Sequence, residues 1–314
     1  MTFIVEWDRV DMTDEQVGVW DTIYTEDQLM PFLQFQETDG TAYAYERESV
    51  IPTASTTSDE GELADSDIAF AERTETLKTV YVQNFLNLKK KQTAKKQDPL
   101  AILKVKMAKS YSRKIADLVI NGDATVNDTE FDGLEAWCRD EGRMLAMDDG
   151  ALDGPGTAET ELTLPRLREM IDKVEMGKPD ALIMNKTMRR KLTNLMYAAG
   201  GGISLQAIDM FQRRVEVFDQ IPIVINDFIS NSEQYADAST WPSSTATTIF
   251  AVKFGQEQQG FTILHNGPFM NVTFQDLGIR KNRNEEVWRL IGYPGSVVYS
   301  PLTICALGGI DSAA

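Results

Sequence analysis

Apolar positions recur with a helical period most clearly over residues 98–121. Leu100, Leu103, Met107, Tyr111, Ile115 and Leu118 step by three or four residues, which sets them in one stripe along a helix. Asp98 suits the N-cap, Pro99 the first helical position and Gly122 a C′ stop. At ~1.5 Å per residue the helix is about 35 Å long. Its other face carries Lys104, Lys106, Lys109, Arg113 and Lys114, a basic back.

Upstream the period changes to two. In residues 41–48, TAYAYERE, one strand face holds Tyr43, Tyr45 and Arg47 and the other Ala42, Ala44 and Glu46. Pro52 ends the strand. Residues 53–67 are polar apart from Leu63, and residues 68–82, IAFAERTETLKTVYV, return as a β-rich run. Together these predict a long hairpin with a solvated end. A two-stranded ribbon is marginal alone, so it needs a surface to pack on. Residues 1–38 lack helical periodicity and read as an extended arm with Trp7, Trp20, Phe32 and Phe35 as scattered anchors.

Downstream the pattern is α/β and then β. NGDATVNDTEFDGLEAW (121–137) is a turn-rich link, and a Gly- and Asp-rich loop follows at 148–156. Thr163 and Pro165 open a helix with Leu167, Met170, Ile171 and Val174 inward and Gly177 at its close. ALIM (181–184) reads as a buried strand. Asn185 caps a helix running through Met188, Leu192, Leu195 and Met196, which Gly200–Gly202 end. Strands are expected at 215–218, 221–227, 247–255 and 261–265, and residues 272–307 are mostly β.

A chain of 314 residues has room for one large domain or two of ordinary size. With 42% hydrophobic and 25% charged residues it is globular in composition, not disordered. No apolar run approaches the ~18 residues of a membrane span. The acidic N-terminus lacks a basic n-region and an apolar h-region, so no signal peptide is expected. Two cysteines, Cys138 and Cys305, make no disulfide framework, which suits a reducing cytoplasm. A lone histidine, His265, argues against hydrolases and metalloenzymes built on histidine clusters.

The formal charge of −17 argues against nucleic-acid binding over the whole surface. That charge is unevenly spread. Residues 1–80 hold 19 acids and 4 bases, whereas residues 89–114 hold 10 bases and 1 acid. An acidic arm ahead of a basic stretch suggests complementary surfaces within one chain or between copies.

Candidate chemistry thins out on inspection. DATVNDTEFDGL (123–134) resembles a calcium loop in its Asp and Asn content, but has Asp128 where glycine is required and Leu134 where glutamate is required, so a capped polar turn is expected. GPGTAE (154–159) has two glycines of a dinucleotide motif, no third, and no preceding strand. Gly200–Gly202 follow a helix and so are badly placed to cradle phosphate. KKKQTAKK (89–96) has no interleaved aromatics for base stacking, which leaves nonspecific contact with nucleic acid or pairing with an acidic neighbour. Cys138 beside Trp137 reads as a packing residue rather than as a nucleophile paired with His265. Asp148 and Asp149 are adjacent and do not converge. No catalytic, metal or cofactor constellation emerges, and a non-enzymatic protein is expected.

The order of these elements resembles the major capsid protein of tailed bacteriophages, the Hong Kong 97-type shell fold. TAYAYERE…IAFAERTETLKTVYV looks like the family's extended E-loop, and DPLAILKVKMAKSYSRKIADLVINGD like its spine helix. NGDATVNDTEFDGLEAW is similar to the run that follows that helix. PDALIMNKTMRRKLTNL and FDQIPIVIND look like the axial domain's strand, helix and next strand, and GIRKNRNEEVWRLIGYPGSVVYSPLTICAL like the strands returning to the peripheral domain. The match spans nearly the whole chain, and the order and spacing of the motifs carry it.

The resemblance implies an α+β fold with an N-terminal arm (1–38), an E-loop hairpin (39–82), a peripheral domain (83–135 and 265–314, spine helix 98–121) and an α/β axial domain (136–264). It implies hexamers and pentamers closing an icosahedral shell around double-stranded DNA, in a virion assembled in the bacterial host cytoplasm. Further partners would be separate scaffolding, decoration and portal proteins, DNA by nonspecific contact, and no membrane. The family's founding member begins with a scaffolding segment that is cut off. This chain starts near the arm, so scaffold is expected to be separate, absent or already removed. Some members crosslink a loop lysine to a neighbour's asparagine. Residues 39–72 contain no lysine, so non-covalent closure is expected.

Expected inter-subunit contacts are Arg47, the loop acids Asp59, Glu60, Glu62, Asp65 and Asp67, and the spine bases Lys104, Lys109 and Arg113. The rivals are a cellular nanocompartment shell of the same fold, whose cargo-docking N-terminal helix is not evident in residues 1–38, and an α/β enzyme or ligand-binding protein using the loops at 148–156 and 200–202.

Overall fold

The computed structural model describes residues 28–50, 56, 69–93, 98–148, 150–152, 160–175, 177–200, 204–207, 214–233, 246–267 and 272–312. Its first half runs through β1 (Phe35–Thr38), β2 (Ala42–Val50), β3 (Ala69–Thr76), β4 (Val80–Asn87), α1 (Leu88–Thr93), α2 (Pro99–Asn121), α3 (Leu134–Asp140), β5 (Met144–Ala146) and α4 (Leu164–Asp172). The second half runs through β6 (Ala181–Met184), α5 (Lys186–Ala198), β7 (Ser204–Ala207), β8 (Arg214–Phe218), β9 (Ile221–Ile225), β10 (Ala246–Val252), β11 (Phe261–Asn266), β12 (Thr273–Ile279), β13 (Glu285–Gly292), β14 (Pro294–Val298) and β15 (Ile304–Asp311).

A seven-stranded sheet, ordered β5-β15-β10-β6-β9-β8-β7, forms the centre of one part of the molecule. Its middle strands are apolar throughout because both faces are covered. On β6, Ala181 and Ile183 enter one core while Leu182 and Met184 enter another. Phe250 and Val252 alternate with Ile249 and Ala251 on β10 in the same way. The second core is closed by α4, through Leu167, Met170 and Ile171, and by Met188 and Leu192 of α5. The Asn185 side chain accepts from Met188 N at 2.8 Å, the N-cap read from the sequence. β8 and β9 form a hairpin whose two turn residues, Asp219 and Gln220, both have positive φ.

Helix α2 supplies the other core. Asp98 caps it, accepting from Leu100 N at 2.9 Å. Met107, Tyr111, Ile115 and Leu118 are buried as the stripe predicts, yet Ile102 and Val105 are exposed. The helix therefore starts outside the main core and enters it over its second half. Its C-terminus differs from expectation. Gly122 is extended rather than left-handed (φ −60°), and glycine is needed there because of crowding. A Cβ would lie 2.2 Å from Phe131 O and 2.6 Å from Leu118 O. Gly133 N donates to Gly122 O at 2.7 Å, so the two glycines clamp the link that turns the chain into α3.

The return run 68–82 divides. β3 pairs with β2, whereas β4 leaves to pair with β13 in a separate three-stranded sheet, β12-β13-β4. Val80 and Leu86 of β4 are buried and draw this strand onto the sheet that α2 covers. A third small sheet, β1-β11-β14, lies beside the base of the hairpin.

Candidate inter-subunit surfaces

The hairpin stem is fixed to its own chain by the face the sequence pattern set apart. Tyr45 is buried with Leu264 of β11 and Val297 of β14. Its hydroxyl donates to Val298 O at 3.4 Å, and its ring stacks on Tyr43 at 6.0 Å and meets Tyr299 edge-on at 5.6 Å. Tyr299 in turn donates to Gln36 of β1. Two residues along, Arg47 forks onto Glu141 at 2.8 and 2.9 Å. Arg73, from the opposite strand, reaches the same carboxylate at 3.2 Å. Arg47, one of the expected inter-subunit contacts, makes both of these hydrogen bonds within its own chain, on the face it shares with Tyr43 and Tyr45.

Electrostatics at the stem are finely balanced. Burial raises the Glu141 carboxyl, but Arg47's hydrogen bonds and the charges of both arginines outweigh it and hold the group below its ordinary value. Glu75, on β3, is pushed up to about 7 by burial first and then by the charge of Asp132. On α3 itself, Glu135 is pushed up to about 7 by burial. Glu233 is pushed up to about 8 by burial and then by Glu135, although it accepts from Thr248 Oγ1 at 2.5 Å.

Of the other expected contact residues, Asp59, Glu60, Glu62, Asp65 and Asp67 lie outside the described residues. Lys104 turns toward its own sheet, 4.8 Å from the Trp288 ring and 5.4 Å from that of Phe274. Lys109 and Arg113 are exposed along α2. Lys114 is held by Asp117 and Glu130 at 3.1 and 3.3 Å.

The former candidates for chemistry have structural explanations. Asp123 accepts from the backbone amides of Thr125 and Val126 and pairs with Arg139 at 2.7 Å, so the run at 123–134 is held as a capped turn. Among the described residues no group of three or more His, Cys, Asp or Glu is placed to hold a metal. Cys138 and Cys305 are buried free thiols, both pushed up by burial. The His265 ring shares a hydrogen bond with Gly267 O at 2.7 Å, and burial lowers its pKa. Residues 153–159 and 201–203 lie outside the described residues. No described helix is long and apolar enough to cross a membrane.

No protein-family model and no curated protein matches the chain. Solved structures do. The holo-SrpI encapsulin complex from Synechococcus elongatus PCC 7942 superposes at a TM-score of 0.70 with 13% identity, over 100% of this chain and 98% of that one. Mycobacterium phage Bobi matches at 0.60 with 15% identity, over 91% and 90%. The capsid of a native GTA particle matches at 0.61 with 13% identity, over 93% and 91%. Encapsulin and capsid structures thus superpose on at least nine-tenths of this chain, and its fold is the Hong Kong 97-type capsid fold.

Proposed function

We propose that this chain is the building tile of a closed protein shell, assembling as hexamers and pentamers into an icosahedral container for phage double-stranded DNA. The observation that carries the reading is the superposition on capsid and encapsulin structures over at least nine-tenths of the chain. In this reading residues 1–38 are the arm, 39–82 the E-loop, 83–135 with 265–314 the peripheral domain and 136–264 the axial domain. Its role is structural and not catalytic. Other chains at the assembly would be scaffolding, decoration and portal proteins.

The proposed mechanism follows from the stem. Arg47, Arg73 and Glu141 fix the hairpin stem to its own chain, and in this reading the acidic residues beyond the stem meet a neighbouring copy. Each exposed charge pair gives only ~0–1 kcal/mol. Symmetric closure repeats such contacts over every copy, so weak pairs suffice. With no lysine in 39–72, the contacts are non-covalent.

A second reading, a cellular nanocompartment, is favoured by the match over 98% of the SrpI encapsulin chain. Nuclease treatment of purified particles followed by analysis of their contents separates the two. Protected DNA supports the phage reading. Packaged enzyme without DNA supports the nanocompartment and overturns the phage reading.

A further inference from the structure

The chain holds two Asn–Gly pairs, Asn121–Gly122 and Asn266–Gly267. An asparagine followed by glycine is open to attack from the next backbone nitrogen. Glycine has no side chain to shield that nitrogen, and its backbone bends freely toward the asparagine. The fold treats the two pairs differently. Asn121 is the last residue of α2, and Gly122 N donates to Leu118 O at 3.0 Å. The Asn121 side chain is held too, donating to Asp117 Oδ1 and to Phe228 O, both at 3.0 Å. Phe131 O and Leu118 O crowd Gly122, so this peptide has no room to shift.

Asn266 stands at the end of β11, where the ladder with β1 stops at the pair Thr38 and Asn266. Gly267 follows outside the strand with φ +70°, in the left-handed region that favours glycine. The His265 ring shares a hydrogen bond with Gly267 O at 2.7 Å and so holds this bend closed. Among the described residues Gly267 N has no hydrogen-bond partner. Asn266 is half-buried and Gly40 is exposed, so water reaches the side-chain amide. That amide holds the root of the hairpin. Asn266 Nδ2 donates to Gly40 O at 2.7 Å, and the next carbonyl, Thr41 O, accepts from Leu77 N, just past β3, at 3.0 Å.

We infer that Asn266–Gly267 is a self-modifying site, where slow deamidation of Asn266 loosens the root of the hairpin. Hydroxide takes the proton from Gly267 N, and that nitrogen attacks Asn266 Cγ. A Cγ–N bond forms, the Cγ–Nδ2 bond breaks, and the leaving nitrogen takes up protons from water to depart as ammonia. Water then opens the cyclic imide at one carbonyl or the other, which gives aspartate or isoaspartate. One water is consumed and one ammonia released, and nothing is oxidised or reduced. Either product puts a carboxylate where Nδ2 was, and a carboxylate cannot donate to Gly40 O. Isoaspartate also lengthens the backbone by one carbon at the residue paired with Thr38. The chemistry needs one chain and water, so it stands whether or not the shell reading does.

The test is prolonged incubation of the unaltered full-length protein in water enriched in heavy oxygen, followed by digestion and mass spectrometry. The expected result is heavy-oxygen label at Asn266 as two chromatographically distinct products, aspartyl and isoaspartyl, forming faster in mildly alkaline than in mildly acidic buffer. Asn121 in the same sample is the internal control, and its labelling should be at least ~10-fold slower. No label at Asn266, or equal labelling of both asparagines, overturns the site. A second arm measures the consequence by amide exchange over residues 40–44. Asn266→Asp, which carries the product's carboxylate, should quicken exchange there about 5- to 30-fold, while Asn266→Gln, which keeps a donor, should quicken it less. Peptides from α2 should be unchanged in both variants. Unaltered exchange over 40–44 in Asn266→Asp, or equal acceleration in the two variants, overturns the link to the hairpin root.

Discussion

Replacing Glu141 with Gln tests how the hairpin is anchored. The carboxylate accepts two hydrogen bonds from Arg47, at 2.8 and 2.9 Å, and lies 3.2 Å from Arg73. The side chains of Arg47 and Glu141 are 12% and 10% exposed, whereas Arg73 is 46% exposed. Cutting one partner from a fully buried ion pair costs ~3–5 kcal/mol, and an exposed pair contributes ~0–1. The Arg47 pair sits near the buried limit, and the substituted amide still accepts one bond. Glu141→Gln should therefore cost about 2–4 kcal/mol, discounted for the remaining solvent, and Arg73→Ala less than about 1. The loss falls on a local unit, so it appears first as opening of the stem. At tenfold per ~1.4 kcal/mol, amide exchange over residues 42–47 and 73–76 should quicken roughly 30- to 700-fold. Peptides from 111–120 in α2 serve as the internal control and should not change. The depressed carboxyl also fixes the pH dependence. Its contribution is complete above the ordinary glutamate value of ~4.3 and is lost as pH falls through the lower folded value, so wild type and variant converge in acid. Unchanged stem exchange in Glu141→Gln, or equal acceleration in α2, refutes this account of the anchor.

Three further predictions concern other parts of the fold. Glu233 is pushed up to about 8, so between ~pH 4.3 and 8 the folded chain keeps a proton that the unfolded chain releases, and stability falls as pH rises through that range. Glu233→Gln should remove this penalty, stabilising by roughly 1–4 kcal/mol at pH 8 and much less at pH 5; equal effects by thermal unfolding at both pH values contradict the assignment. At Gly133 a Cβ would lie 2.6 Å from Leu118 O, 2.7 Å from Ile120 O and 2.8 Å from Gly122 N, all backbone, so Gly133→Ala should cost ~1–3 kcal/mol or more and lower Tm by at least ~3 °C. Reversing Asp59, Glu60 and Glu62 to lysine should weaken assembly and alter its salt response, measured as particle yield across a sodium chloride series; an unchanged response sinks the charge-pairing mechanism.

Local rules made much of this fold legible. Asp98-Pro99 and Asn185 mark the starts of α2 and α5 because a cap is a contact over two or three residues. ALIM reads as buried strand because both its faces are covered. Periodicity also grouped Tyr43, Tyr45 and Arg47, but it could not say which body that face would meet. Glu141 lies 94 residues away from Arg47 and carries no local mark of the pairing. Likewise β3 and β4 read as one strand, since the break at residues 77–79 is set by β13, some 200 residues later. Lys104 read as part of the basic back of α2 because nothing nearby in sequence announces the Trp288 and Phe274 rings.

The most direct measurement of the central claim is the sedimentation of the purified chain, with negative-stain microscopy of the fractions. A self-closing tile of 35.2 kDa should appear as megadalton particles, or as discrete pentamers and hexamers that convert to them. A single homogeneous species at the mass of one chain, across salt and concentration, contradicts it.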